Sequence, residues 1–330
     1  MKRLILMILI SVLALSLIAT DKEIFVEVDA VKVNLDDVLH STVSDVEQLP
    51  DGFLFSLKRG RNNNLLVKVD KNGNVTKIYD KPGNGPGELR HIFNIVAYRN
   101  SIYAIEGKSP FIHEYTNDLK FKKDYRINAW GRLYMLGKYA GIWRPSTYDD
   151  KSEEIYTLAL HDPKDFTFKR NVFRVKEVPA FFTYWGDVCV IDENTIAGVY
   201  STEYQIRIFD GDLKFQKNLI EKTPDHIKKY VPYKGNIHVV GKEAQEWTLT
   251  WSVMSRLHYV DKMFILFYKM NTDFFLDIID KNGKILYTQY KEKKGFHIVF
   301  SEDQKYIWRL KVEEGDESNK YTLVKQKLVL

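Results

Sequence analysis

One cysteine in 330 residues, Cys189, excludes an internal disulfide framework. It also argues against a lipoprotein, because lipid attachment needs a cysteine at the cleavage point, and Cys189 sits instead in the apolar run "DVCVI", where a buried thiol is expected. Charge of one sign is scarce: 49 Lys and Arg stand against 44 Asp and Glu, and two of the net +5 charges are Lys2 and Arg3, leaving +3 for the rest. The basic residues are spread over turns and strand faces with no stripe interleaved with aromatics, so a nucleic-acid partner is not expected. Helical periodicity is nearly absent after residue 20, apart from "PDHIKKY" and "KEAQEW".

Catalytic signatures are missing as well. No Gly-x-Ser-x-Gly elbow occurs, and no HxxxH or HExxH spacing supports a metal. The glycine-rich "GNGPGEL" has neither the lysine nor the helix of a phosphate loop and reads as a connection needing positive φ. Asp36 with Asp37, Asp149 with Asp150, and Glu313 with Glu314 are adjacent pairs, which on a strand point to opposite faces and cannot share one substrate. No cofactor is expected.

What is present is core material and strand patterning. Apolar residues make up 45% and aromatics 14% of the chain. Residues 4–19, "LILMILISVLALSLIA", follow Lys2 and Arg3 without a charge and end in small residues. This predicts a secretory signal at 1–19, or an uncleaved N-terminal anchor, and an extracytoplasmic (periplasmic or secreted) protein that touches membrane only through that segment. Beyond it come short β-branched and aromatic runs bounded by Gly, Asn, Asp or Pro, such as "GFLFSL", "NLLVKVD", "IFNIVAY" and "SIYAIEG".

The chain repeats itself. "DKNGNV" at Asp70 returns as "DKNGKI" at Asp280, "NDLKFKK" at Asn117 as "GDLKFQK" at Gly211, and "RLYMLGKY" at Arg132 as "RLHYVDKM" at Arg256. Tight turns fall at Gly73, Asp118, Asp165, Asp212 and Gly283, at intervals of 45, 47, 47 and 71 residues. A four-stranded unit of about 45 residues fits such spacing, with an insertion at about 221–252 before the last interval. The C-terminus supplies three further strands, and the segment "EIFVEVDAVKVNL" one more without a partner. Joining them predicts an all-β, six-bladed β-propeller of four-stranded blades, its ring closed by pairing of the N-terminal strand with the C-terminal blade, occupying 20–330 as one domain.

The stretch "KPGNGPGELRHIFNIVAYRNSIYAIEGKSPFIHEYTNDLKFKKDY", Lys81 to Tyr125, resembles one blade of an NHL-type six-bladed propeller, similar to exported bacterial propellers with a GxGPGE loop between blades. The likeness runs over roughly Val43 to Tyr125 and Arg256 to Tyr290, and departs from the pattern in "HIFNIVAY", which lacks the usual Pro-x-Gly, and in Glu106, where Asp is usual.

In such a ring the starts of the inner strands border a central channel, the usual ligand site. The candidates there are Arg90 and His91, Arg132, Trp185, Arg256 and His258, and His297. Arg90, Arg132 and Arg256 at equivalent places would form a positive collar for carboxylate, sulfate or phosphate; the alternative is that they bond loop carbonyls or acidic neighbours around the ring. In the insertion, Tyr230, Tyr233, Trp247 and Trp251 are either a partner-binding surface or core. The expected function is a non-catalytic, monomeric binding scaffold for a protein or carbohydrate ligand; the rival is a channel-type enzyme, a metal-assisted lyase or hydrolase with an anionic or sugar substrate.

Overall fold

The computed structural model describes residues 24–35, 38, 41–60, 63–107, 111–127, 131–148, 155–175, 185–235, 242–292, 297–300, 304–313 and 319–330, so the signal or anchor at 1–19 lies outside them. Strand β1 (Phe25–Val33) comes first. Blade 1 follows as β2 (Ser41–Leu49), β3 (Gly52–Arg59), β4 (Asn63–Asp70) and β5 (Val75–Tyr79). Blade 2 is β6 (Ile92–Tyr98), β7 (Ser101–Glu106), β8 (Phe111–Thr116) and β9 (Phe121–Arg126); blade 3 is β10 (Arg132–Leu136), β11 (Tyr139–Tyr148), β12 (Ile155–His161) and β13 (Phe168–Val175). Blade 4 is β14 (Gly186–Asp192), β15 (Thr195–Tyr200), β16 (Ile206–Asp210) and β17 (Phe215–Asn218); blade 5 is β18 (Ser252–Val260), β19 (Met263–Met270), β20 (Asp273–Asp280) and β21 (Ile285–Glu292). Blade 6 takes β22 (His297–Phe300), β23 (Ile307–Glu313) and β24 (Lys320–Leu328) from the C-terminus and β1 from the N-terminus, in the order β22-β23-β24-β1.

The chain is therefore a six-bladed β-propeller of antiparallel four-stranded sheets. Its closure is the one expected: β1 runs antiparallel to β24, from Phe25 opposite Leu328 to Val33 opposite Tyr321.

Burial follows from stacking the blades face to face. A middle strand has a neighbouring blade on both faces, so it reads as a continuous apolar run, as in β19 "MFILFYKM", buried from Phe264 to Tyr268. An outermost strand has water on its free edge and is polar, as in β17 "FQKN", exposed throughout. The buried apolar residues described fall into six clusters, one per interface between blades, and a seventh beneath the insertion.

All five repeated turns join the third to the fourth strand of their blades, and the sixth such turn is missing because the chain is open there, between β24 and β1. The turns at Gly73, Leu119, Leu213 and Gly283 share one pattern, in which the residue at positive φ donates its N–H three residues back, to Asp70, Thr116, Asp210 and Asp280 respectively. A one-residue register shift follows in each ladder, the bulged hairpin expected of a three- to five-residue loop. At Leu119, Leu213 and, in the longer turn, Phe166, a non-glycine accepts the left-handed conformation and plugs its side chain into the interface with the preceding blade. Burial worth about 2 kcal/mol outweighs the strain of about 1 kcal/mol.

At Gly73 and Gly283 the plug is backbone. A Cβ on Gly73 would lie 1.8 Å from the carbonyl oxygen of Lys32, and one on Gly283 1.9 Å from that of Leu219, each on the chain leaving the preceding blade. This is why the "DKNG" turn is written twice. Gly73→Ala and Gly283→Ala are each expected to cost about 2 kcal/mol or more, read from chemical denaturation; a loss below a few tenths would contradict the close approach.

Between β17 and β18, the described residues of the insertion carry a short helix, α1 (Lys242–Trp247), at "KEAQEW"; "PDHIKKY" forms only turns. Hydrogen bonds between Lys228 and Ser252, N–H to carbonyl and N–H to Oγ, both 3.0 Å, stitch it to the start of β18. Among the described residues no helix is long and apolar enough to cross a membrane.

Candidate functional site

The innermost strands β2, β6, β10, β14, β18 and β22 present a free edge to the channel, and the backbone N–H groups on that edge need partners. Side chains of the neighbouring blade supply them. Asp45 accepts from the N–H of Ile95 at 2.9 Å and Glu47 from that of Ala97 at 3.2 Å. Asn94 accepts from Leu133 N–H at 3.0 Å and donates to its carbonyl at 3.1 Å, and Asp187 accepts from Leu257 N–H at 3.1 Å.

The residues that precede Ile95, Leu133 and Leu257 are Asn94, Arg132 and Arg256. By this register Asp45, Asn94, Arg132, Asp187 and Arg256 form one belt around the channel. Three of the five are acceptors that cap the next blade, whereas two are arginines, which have no acceptor atom and cannot do that work. Val188, beyond Arg132, is capped instead by its own Asp187 at 3.0 Å.

The two arginines differ in their surroundings. Arg132 donates to the hydroxyl of Tyr134 at 3.1 Å and lies 3.7 Å from Asp187, which also accepts from Tyr134. Arg256 is exposed, and among the described residues its side chain makes no ion pair or hydrogen bond, although the carboxylates of Asp187 and Asp45 act on it through space. Burial by the surrounding walls, and then the charge of Arg132, lower its pKa below the ordinary arginine value without threatening its protonation. Burial, Arg256 and Arg132 together push the His258 imidazole well below 6.5, so it is neutral at pH 7. Glu47, opposed mainly by burial and less by Asp45, is held up to about 8 in spite of its bond from Ala97. The level of the belt thus sets two cations, Arg132 and Arg256, near the carboxylates of Asp187 and Asp45.

The other sequence candidates fall elsewhere. Arg90 is exposed in the connection between blades 1 and 2 and donates to Asn84 at 2.8 Å, so the three-arginine collar is reduced to Arg132 and Arg256, with Asn94 at the level where blade 2 was expected to place its arginine. His91 is half-buried in the same connection, its carbonyl accepting from Gly107 at 2.8 Å. His297 opens β22 opposite Leu310, and its side chain is outside the described residues. Among the described residues no three His, Cys, Asp or Glu side chains gather as a metal would require. Trp185 is half-buried just before β14 and stacks on Phe274, centroids 6.5 Å apart.

In the insertion, Trp251 is 0% and Trp247 9% exposed, which makes them core and removes them from any partner surface. Tyr230 and Tyr233 stay half-buried, packed on these tryptophans. Cys189 is half-buried rather than enclosed, with burial raising its pKa well above the ordinary thiol value, so it is a poor nucleophile. Sequence reasoning missed the belt acceptors Asp45, Asn94 and Asp187, and Glu47 beyond them. A signal was present only at Asn94, a polar residue between Phe93 and Ile95 in an otherwise apolar run.

The sequence matches no protein-family profile and no curated protein. Solved structures share the fold. A protein of Bacteroides fragilis described as a candidate exported protein aligns over 93% of this chain and 96% of its own with a TM-score of 0.72 and 14% identity. A member of the DUF4221 family from Bacteroides vulgatus aligns over 92% of this chain and 98% of its own, with a TM-score of 0.65 and 10% identity. At such identities the likeness is one of fold.

Proposed function

We propose that this protein is an exported, non-catalytic propeller that binds an anionic ligand in its central channel. The observation that carries the reading is Arg256, an exposed guanidinium that makes no ion pair or hydrogen bond among the described residues, at a position where other blades carry structural caps. An arginine there caps no strand edge as Asp45, Asn94 and Asp187 do, whereas a bound anion would accept its fork of donors. The basic, apolar N-terminus and the likeness of Lys81 to Tyr125 to NHL-type exported propellers support export.

Calorimetric titration with sulfate and phosphate is expected to show binding to the wild type and at least roughly tenfold weaker binding to Arg256→Gln. Arg90→Gln, on the exposed connection, is expected to bind as the wild type does. Equal affinities for Arg256→Gln and wild type would overturn the reading.

The channel-enzyme alternative has one observation in its favour, a neutral imidazole at His258 beside Arg256, the state a general base needs. Metal content by mass spectrometry, with a thermal-shift screen of divalent ions, separates the two: a stoichiometric, stabilising metal favours the enzyme.

A further inference from the structure

We propose that the channel takes up its anion together with a proton, which the His258 imidazole accepts beside Arg256. The inference rests on the channel reading above and adds how that site is regulated.

Strand β18 pairs without a break from Arg256 to His258: Arg256 lies opposite Phe267, Leu257 opposite Leu266 and His258 opposite Ile265. Side chains alternate along such a stretch, so Arg256 and His258 share one face while Leu257 turns to the other, where it is buried against blade 4. Two residues of strand span roughly 6.6 Å, so an anion on the Arg256 fork is a near neighbour of the imidazole. His258 itself is half-buried, its ring in an edge-to-face contact with Phe267 at a centroid distance of 5.7 Å.

The charged groups around the imidazole fall into two kinds. Arg256 on its own strand and Arg132 on β10 both repel an imidazolium, and together with burial they keep the ring neutral at pH 7. The carboxylates of the belt already have partners: Asp187 on β14 accepts from Tyr134 and from Leu257 N–H, and Asp45 on β2 accepts from Ile95 N–H. Tyr134, Cys189 and Glu47 are neutral at pH 7, because burial raises the pKa of each, that of Glu47 to about 8. His297 on β22 has its side chain outside the described residues.

An anion seated on Arg256 offsets the field that keeps His258 neutral. The guanidiniums then oppose the imidazolium less, the anion attracts it, and His258 binds a proton from solvent without any covalent change in the ligand. By linkage the proton strengthens anion binding by the same factor as the anion strengthens proton binding. Affinity is therefore highest on the acid side and falls as pH rises through the His258 pKa of the occupied site.

Calorimetry with sulfate on the full chain between pH 5 and 7 tests this, since sulfate stays a dianion throughout and Glu47 stays largely protonated. The wild type is expected to bind about fivefold or more tightly at pH 5 than at pH 7, and to take up a proton, read as a heat that changes between buffers of different ionisation enthalpy. His258→Gln is expected to lose most of that acid gain and the buffer dependence with it. The imidazole signal that His258→Gln removes from the proton NMR spectrum should titrate at least about one pH unit higher with sulfate than without. Sulfate binding with no buffer dependence and an unmoved His258 titration overturns the proton coupling and leaves the anion site standing. An acid gain that His258→Gln retains overturns the role of His258, and no sulfate binding by the wild type at any pH overturns both readings.

Discussion

A chain lacking residues 24–33 is expected to lose cooperative folding. Strand β1 is the outermost strand of blade 6, and its removal leaves the whole edge of β24 unpaired. It also strips Ile24, Phe25 and Val33 from the interfaces of blade 6 with blades 5 and 1, where all three are buried. At 1.5 to 3 kcal/mol each, these side chains alone contribute roughly 5 to 9 kcal/mol, a large part of the 5 to 15 kcal/mol net stability of a typical domain. The measurement is guanidinium unfolding followed by fluorescence, together with solubility. A synthetic peptide covering 24–35 should restore a sigmoidal transition in trans. A truncated chain that unfolds cooperatively at the wild-type midpoint would show that the closure is dispensable.

His113→Ala has the next largest expected effect. His113 is 3% exposed on β8 and lies between two carboxylates: its Nδ1 is 2.6 Å from Asp124, and its Nε2 is 3.4 Å from Glu106, an electrostatic contact without good hydrogen-bond geometry. Those carboxylates in turn hold the connection between blades 1 and 2, Glu106 accepting from Arg90 N–H at 3.2 Å and Asp124 from Gly87 N–H at 3.3 Å. Removing the imidazole leaves two enclosed negative charges facing each other, and the loss of a partner in a buried ionic cluster costs about 3 to 5 kcal/mol.

The pH dependence has a definite sign. Burial opposes the charge on His113, but Glu106 and Asp124 outweigh it and raise its pKa above 6.5. A histidine that binds its proton more tightly when folded contributes stability fully below the unfolded value of about 6.5 and loses it as pH rises through the folded value. The wild-type midpoint should therefore fall on the alkaline side, and His113→Gln should flatten that fall. Glu47, held up to about 8, adds a loss of the same sign between about 4.5 and 8, because the folded state keeps a proton that the unfolded chain has released. Glu47→Gln removes that part alone. A wild-type midpoint constant across pH 5 to 9 would contradict both assignments.

Local chemistry determined much of this protein by itself. A bulged turn needs only its own four or five residues and a left-handed position, so four of the five turns could be located from "DKNG", "NDLK" and "GDLK", and their spacing of about 45 residues pointed to the fifth at Asp165 and to the open sixth. Runs such as "MFILFYKM" announce a strand covered on both faces, and the unpartnered "FVEVDAVKV" could only complete the C-terminal blade. The helix at "KEAQEW" was likewise legible from neighbours in sequence.

The tertiary structure alone decided the level of each side chain in the channel. Inner strands start at different distances from the belt, four residues ahead of Arg256 but none ahead of Arg132, and bulges shift the register between Ile92 and Asn94 and between Met254 and Arg256. Counting from strand starts therefore set Arg90 level with Arg132 and Arg256, when Asn94 holds that place. Burial of Trp247 and Trp251 depends on packing against Tyr230 and Tyr233, and convergence of Glu106, His113 and Asp124 on the pairing register of β7, β8 and β9, which no local pattern states. Turn conformation and strand burial are properties of a few consecutive residues, whereas the position of a charge relative to another blade is set by bulges and stacking summed around the ring.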